Sequence, residues 1–275
     1  MSGDIPRAGI FGWPVGHSKS PRLHGHWLAR YGLAGDYTRL PAAPEEFGAE
    51  VRRILAEGWR GGNVTIPHKE AALALADEAT PRARAIGAAN TLIFRDGCIH
   101  ADNTDGFGFI ENLRAGAPGI RFDHPAAVLG AGGGARAIVW TLIEEGAPEV
   151  RLTNRTRARA ERLAEEFGPK VRVVDWDNRE AAINGAGLLV NTTSLGMEGQ
   201  PPLEINLSGA CADAVATDIV YTPLVTPFLE AARAQGLAIV DGLGMLLHQG
   251  RPGFEAWFGV APEVDDELRE VMLAP

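Results

Sequence analysis

The junction at residues 126–135 constrains this chain more than any other stretch. A short apolar run, Ala126-Ala127-Val128-Leu129, passes directly into Gly130-Ala131-Gly132-Gly133-Gly134-Ala135, and residues 135–145 follow as a helical stretch. The pattern is G-x-G-x-x-A between a strand and a helix. Glycines there let the backbone turn sharply and lie close against a pyrophosphate. The first turn of the helix supplies free N–H groups and the positive end of its dipole. The alternative is a purely structural glycine turn. The strand-loop-helix setting favours the nucleotide loop.

The following strand bears on the nucleotide. NAD-binding units usually end it with Asp or Glu, about 20 residues past the glycines, to hold the ribose hydroxyls. Here residues 150–153 lead into Asn154-Arg155-Thr156-Arg157, with Arg159 beyond and no carboxylate. Guanidinium groups at that place suit a 2′-phosphate through paired, charge-assisted hydrogen bonds. The expected cofactor is NADP.

Strand-like and helical runs alternate on both sides of this loop. Residues 150–153, 171–174, 188–191, 215–220 and 238–240 read as strands, and 157–167 as a helix, which predicts a parallel sheet covered on both faces. Upstream, 8–11 and 62–66 read as strands, the second ended by Pro67. Residues 21–31, 45–58 and 69–76 read as helices, with Ser20 as the N-cap of the first and Pro21 inside its start. Arg95-Asp96-Gly97 separates two strand-like runs, 91–94 and 98–100, as a hairpin turn. Residues 107–114, 245–258 and 264–272 complete the helices. The fold class expected is α/β with two domains: an N-terminal α/β domain over 1–105 completed by 243–275, and a nucleotide-binding domain of the Rossmann type over 106–242.

Composition excludes several classes of function. The chain has 275 residues and a formal charge of −9, with no concentrated basic face, so nucleic acid is not an expected partner. Its two cysteines, Cys98 and Cys211, stand far apart and outside any metal spacing, which predicts reduced thiols and a cytoplasmic setting. The start, Met1 to Arg7, is short and polar, so no secretory leader is expected, and no apolar run reaches the length of a membrane helix. His17, His24, His26, His68 and His248 match no zinc pattern, so no metal is expected. A homodimer is the candidate assembly.

Outside the nucleotide unit lie five polar clusters: His17-Ser18-Lys19-Ser20-Pro21, Asn63 to Lys69, Ala89-Asn90-Thr91, Asp102 to Gly106, and Asp241 to Gln249. Together they offer hydroxyls, amides, a lysine and an aspartate, the groups that a small polyhydroxylated ligand requires. In this order, with the glycine loop and Asn154-Arg155-Thr156, they resemble the shikimate dehydrogenase family over nearly the whole chain. The shared stretches are S-K-S-P, N-V-T-x-P-x-K, G-A-x-N-T, D-N-T-D-G, G-A-G-G, N-R-T and D-G-L-G-M-L.

That resemblance implies an NADP-dependent reduction of 3-dehydroshikimate to shikimate. By it, Ser18 and Ser20 bind the substrate carboxylate with Tyr221, and Thr65, Asn90, Asp105 and Gln249 bind the ring hydroxyls. Lys69 transfers the proton, with Asp105 beside it. Gly130, Ala131, Gly132, Gly133, Gly134, Ala135, Asn154, Arg155, Thr156, Arg159, Ile219 and Gly242 form the cofactor set. A solitary lysine is more often a surface charge; Lys69 stands out because it follows a strand end and Pro67. Two rivals remain. A quinate/shikimate dehydrogenase of broader specificity tends to carry an acidic residue where Arg155 stands. A non-catalytic NADP-binding regulatory relative would lose Lys69 or Asp105.

Overall fold

The computed structural model describes residues 5–274. The outermost ends of the expected first domain, and most of the polar start from Met1 to Arg7, lie outside the described residues. The chain divides into two compact units: one takes everything up to Asp105 together with everything from Leu246 on, the other spans Gly106–Met245.

In chain order the first unit holds β1 (Arg7–Gly12), α1 (Ser20–Arg30), β2 (Asp36–Pro41), α2 (Phe47–Ala56), β3 (Gly61–Val64), α3 (Lys69–Leu75), β4 (Glu78–Ala79), α4 (Pro81–Ile86), β5 (Thr91–Arg95) and β6 (Cys98–Asp102). Then come α5 (Asp105–Gly116), β7 (Ala126–Leu129), α6 (Gly133–Glu144), β8 (Val150–Thr153), α7 (Arg157–Phe167), β9 (Val171–Val174), α8 (Glu180–Ile183), β10 (Leu188–Asn191), β11 (Val215–Asp218), α9 (Pro227–Ala234) and β12 (Ala238–Val240). The chain returns to the first unit through α10 (Leu243–Phe258) and ends with α11 (Asp266–Leu273).

The first sheet has the order β2-β1-β3-β5-β6-β4. β2, β1 and β3 are parallel, whereas β5 runs antiparallel to both β3 and β6. The antiparallel pair is the expected hairpin. Arg95 pairs with Cys98, and Asp96 and Gly97 both take positive φ, 52° and 76°, as a two-residue primed turn requires. One face is closed by α2 and α3, through Phe47, Val51, Ile54 and Ala72 packed on Phe11, Val64, Leu92 and Phe94. On the other, Trp257 of α10 packs on Ala8, Ile10 and Tyr37, and its indole N–H donates to the Leu92 carbonyl at 3.0 Å. Gly250 has a packing reason: a Cβ there would sit 3.0 Å from Leu23 and 3.3 Å from Trp27 of α1. Arg251 beside it holds the Pro262 carbonyl at 2.9 Å.

The second sheet is wholly parallel, in the order β12-β11-β10-β7-β8-β9. Its central strands, β7, β10 and β11, are buried on both faces, and alternate residues go to opposite cores. Ala126 and Val128 join Phe109 of α5, Ile138 and Leu142 of α6 and Leu163 of α7. Ala127 and Leu129 join Ile183 of α8 and Phe228 and Leu229 of α9. That two-residue period explains why β7, Ala126-Ala127-Val128-Leu129, reads as an uninterrupted apolar run. Strand order reverses direction between β10 and β7, the switch point where such sheets bind nucleotides beyond their carboxyl ends.

Candidate functional site

β3 delivers the lysine. After Val64 the strand stops, earlier than the expected end at Pro67, although the Thr65 N–H still donates to the Phe11 carbonyl at 2.9 Å. The chain turns, with the His68 N–H donating to the Thr65 carbonyl at 3.0 Å, and Lys69 opens α3. His68 fixes this turn. Its ring is buried, contacts the Ala42 carbonyl through Nε2 at 2.8 Å, and stacks on Phe47 with centroids 4.5 Å apart.

Asp105 is the first residue of α5, and its N–H donates to Asn103 Oδ1 at 3.1 Å. Asn103 in turn donates to the Ala88 carbonyl at 2.9 Å. Asp102 ties the same loop down, accepting from the Asn103 N–H, from Thr80 at 2.7 Å and from Arg82. Burial pushes the Asp102 carboxyl up, but hydrogen bonds from Arg82 and Thr80 outweigh it and hold the group below its ordinary range.

These anchors bring Lys69 and Asp105 together. Lys69 Nζ lies 2.5 Å from Asp105 Oδ2, with the side chains 16% and 8% exposed. The second oxygen, Oδ1, accepts from Asn90 Nδ2 at 2.8 Å. Asn90 has only one orientation that satisfies its neighbours. Its oxygen accepts from the Thr104 N–H at 2.8 Å and from the Thr91 hydroxyl at 3.0 Å, so its two amide protons face Asp105 and Gln249 Oε1, the latter at 3.1 Å. Gln249 is thereby oriented too. Its Oε1 is taken and its Nε2 donates to the Leu246 carbonyl at 3.1 Å, which leaves one N–H to offer a ligand. Thr104 pins α10 against this cluster through a 2.8 Å bond to the Gln249 carbonyl. The cluster thus presents ammonium and amide donors beside a carboxylate acceptor, in a largely buried setting.

Ser18, Ser20 and Thr65 belong to the same unit. The expected capping role of Ser20 is not what the structure has. Lys19 is the N-cap residue without a side-chain cap, Ser20 is the first helical residue, and the Ser20 N–H donates to Ser18 Oγ at 3.2 Å. Ser18 turns the chain two residues earlier, its own N–H bonded to the Val15 carbonyl at 3.1 Å, and the Leu23 N–H, which a capping side chain could take, goes to the Lys19 carbonyl at 3.1 Å. Thr65 sits against Gly12, where a Cβ would come within 2.5 Å of its methyl. Tyr221 lies in the second unit, and burial raises its phenol above the ordinary range.

In the second unit, β7 runs into the glycine loop. Gly130 has φ 112°, and a Cβ there would meet Thr192 Oγ1 at 2.6 Å, so only glycine fits. Gly132 is the N-cap of α6 and makes no side-chain cap; a Cβ there would meet nothing within 4 Å. The first N–H groups of a twelve-residue helix therefore stand beside an open approach. Asn154 braces the loop by accepting the Ala131 N–H at 3.0 Å, and donates to the Thr156 carbonyl at 2.8 Å. Ile219 packs at Gly134, and Gly242 lies so close to the backbone of residues 218–220 that a Cβ would be 2.6 Å from two carbonyl oxygens.

Arg155 and Arg159 are exposed and, among the described residues, make no ion pair or side-chain hydrogen bond; Arg157 between them is paired with Glu161 and Asp175. An uncapped helix start, a glycine backbone and two uncommitted guanidiniums fit a dinucleotide carrying a 2′-phosphate.

Among the described residues no group of three or more His, Cys, Asp or Glu could hold a metal, and no helix is long and apolar enough to cross a membrane. The sequence does not single out Tyr37, Asn63, Thr91 or Thr104, yet the last three bond Asn90 and Tyr37 bonds Asn63. Three of them stood inside the quoted polar clusters; Tyr37 carried no signal.

Family models match three stretches of the chain. They are the shikimate dehydrogenase substrate binding domain over residues 10–92, shikimate / quinate 5-dehydrogenase over 121–197, and the shikimate 5'-dehydrogenase C-terminal domain over 242–272. A shikimate dehydrogenase (NADP(+)) of Paracoccus denitrificans is 60% identical over 98% of this chain and 96% of its own length. That of Rhodospirillum rubrum is 57% identical over 99% of both. The crystal structure of shikimate 5-dehydrogenase from Thermus thermophilus in complex with NADP(H) and shikimate superimposes with a TM-score of 0.86 at 40% identity, covering 98% of each chain. Quinate dehydrogenase from Corynebacterium glutamicum in complex with NAD gives a TM-score of 0.90 at 30% identity, over 98% of this chain and 99% of that one.

Proposed function

This chain belongs to the shikimate dehydrogenase family, and we infer that it catalyses the reversible, NADP-dependent reduction of 3-dehydroshikimate to shikimate, in the pathway to chorismate and the aromatic amino acids. The observation that carries this reading is the contact between Lys69 and Asp105, held by Asn90 in the same unit as Ser18 and Ser20.

Residues 1–105 with 243–275 act as the substrate domain, and 106–242 as the NADP domain. The loop from Gly130 to Ala135, with Asn154, Arg155, Thr156, Arg159, Ile219 and Gly242, holds the cofactor. When bound, NADPH supplies the hydride that reduces the ketone carbon.

The protein's own groups manage the proton and the fit. Lys69 as ammonium donates a proton to the ketone oxygen; in the reverse direction, neutral Lys69 takes the hydroxyl proton. Asp105 keeps the lysine amine aimed and accepts a substrate hydroxyl. The spare Gln249 N–H and Thr65 bind the ring hydroxyls, and Asn90 joins them by turning to the substrate the amide proton that otherwise goes to Gln249. Ser18, Ser20 and Tyr221 bind the substrate carboxylate with neutral donors. Such a site rejects analogues that lack a hydroxyl, because its buried polar groups would then stand unpaired.

The proposed setting is the cytoplasm, in keeping with two free cysteines. A homodimer is the proposed assembly, to be checked by light scattering. The deciding assay measures cofactor reduction with shikimate and with quinate, each with NADP and NAD. Turnover with shikimate and NADP, and far less with the other pairs, is expected. Comparable turnover of quinate would assign the broader specificity. No turnover with any pair would leave a binding protein.

A further inference from the structure

Tyr37 stands at the far end of a hydrogen-bond chain that finishes on Asp105. It lies on β2, 6% exposed, with its ring stacked on His24 at a centroid distance of 4.0 Å. Its hydroxyl donates to Asn63 Oδ1 on β3 at 2.6 Å. Asn63 Nδ2 donates onward to the Asn90 carbonyl at 3.3 Å and to Thr91 Oγ1 at 3.4 Å. The Thr91 hydroxyl donates to Asn90 Oδ1 at 3.0 Å, and Asn90 Nδ2 donates to Asp105 Oδ1 at 2.8 Å.

The backbone fixes the direction of the chain. The Asn90 carbonyl can only accept, so the Asn63 amine faces it and Thr91, and the Asn63 oxygen faces Tyr37 and takes the phenol proton. Thr91 then has an acceptor position filled, and its own proton goes to Asn90. With the Thr104 N–H, that occupies the Asn90 oxygen and leaves the amine for Asp105. Without the phenol proton, the buried Asn63 oxygen stands unpaired while its amine still faces the Asn90 carbonyl and Thr91. Asn63 is then held less firmly, and so are Thr91 and the Asn90 amide beside Asp105.

We propose that Tyr37 is a positioning residue for proton transfer: through Asn63 and Thr91 it holds the Asn90 amide firmly in place, and so the carboxylate that aims Lys69. Aligned donors along such a chain reinforce one another, each link polarising the next. The proposal rests on the reading of Lys69 as the proton donor.

The test is steady-state kinetics on Tyr37→Phe, Thr91→Val, Thr91→Ser and Tyr37→Phe/Thr91→Val, with thermal melts in parallel. Tyr37→Phe is expected to lower kcat about three- to tenfold, the effect of one lost neutral hydrogen bond, with KM changed less than kcat. Because both changes break one chain, the double variant should match Thr91→Val to within about twofold. Thr91→Ser, which keeps the hydroxyl, should recover the kcat lost in Thr91→Val. An unchanged kcat in Tyr37→Phe overturns the relay, and so do losses that multiply in the double variant. Should Tyr37→Phe fail to fold, equal kcat in Thr91→Val and Thr91→Ser overturns it alone. Lys69→Ala run alongside separates the two claims. If it loses kcat while Tyr37→Phe does not, the relay alone fails; if it keeps kcat, the proton-transfer reading itself fails.

Discussion

Lys69 Nζ and Asp105 Oδ2 lie 2.5 Å apart at the openings of two different helices, α3 and α5. A charge pair this close and this buried is costly unless further hydrogen bonds complete it, and Asn90 supplies one. Lys69→Ala should lower turnover by roughly 10²–10⁴, the usual range for a general acid or base. NADP affinity, measured by fluorescence titration, should hardly change, since the glycine loop belongs to the other unit. Lys69→Arg should not rescue, because guanidinium keeps its proton near neutral pH. A rise in KM alone would make Lys69 a binding residue.

Cofactor choice is the second expectation. Arg155 and Arg159 are exposed with their guanidiniums uncommitted, whereas Arg157 is held by Glu161 and Asp175. Arg155→Asp should cut the preference for NADP over NAD sharply, through a higher KM for NADP, because it puts a like charge against the 2′-phosphate. Arg157→Ala should leave that preference close to the parent value. Equal effects from the two variants would show that general positive charge, rather than Arg155, selects the cofactor.

The serine pair gives a third. Ser18 Oγ already accepts the Ser20 N–H, but its hydroxyl proton remains available for a carboxylate. Replacing both serines with alanine should raise KM for shikimate, since each hydrogen bond to a charged group contributes roughly 1.5–3 kcal/mol. kcat should fall much less than with Lys69→Ala. An unaltered KM would place the carboxylate elsewhere.

What could be read in the sequence was what local chemistry dictates. Asp96-Gly97 named its hairpin because φ is positive at both residues, and the glycine loop named its strand and helix because only glycine fits at Gly130. β2, α4 and α9 went unread, although Thr80-Pro81 and Thr226-Pro227 mark the starts of the two helices; both threonines cap, accepting from the Ala83 and Leu229 N–H groups. In β2 only Tyr37 and Leu40 are buried, three residues apart and so out of step with a strand's alternation, and α4 and α9 give a helical period only about two turns in which to show. In the site, residue types were legible but their orientation was not. Whether the Asn90 amine faces Asp105 depends on Thr104, Thr91 and, beyond them, Asn63 and Tyr37, brought together only by the order β2-β1-β3-β5. Ser20 does not cap because the helix starts one residue earlier than Pro21 suggests: Ser20 is already helical and Lys19 holds the cap position.

The last expectation concerns His24, which is wholly buried among Trp27, Tyr37, Phe254 and Trp257. Burial pushes its pKa down to about 3, and neither ring nitrogen has a hydrogen-bond partner to offset it. Unfolded, a histidine titrates near 6.5. Between these values the unfolded chain binds a proton that the folded chain refuses, so stability rises with pH across that window. The contribution of His24 is thus fully present above about 6.5 and is lost as pH falls toward 3, by up to about 1.4 kcal/mol per pH unit. Asp218 works the opposite way. Its carboxyl is raised to about 6, chiefly by burial, so the folded chain holds a proton there that the unfolded chain has released. The net pH profile mixes the two, and the difference between variants isolates one. His24→Phe, which keeps an aromatic ring in the stack, should flatten the fall in denaturant-derived stability between pH 6.5 and 4. Proton NMR offers a direct check: the His24 ring resonances in the folded protein should not titrate down to pH 4.5. A midpoint near 6.5 would mean that water or an anion reaches the ring, and both expectations would fail together.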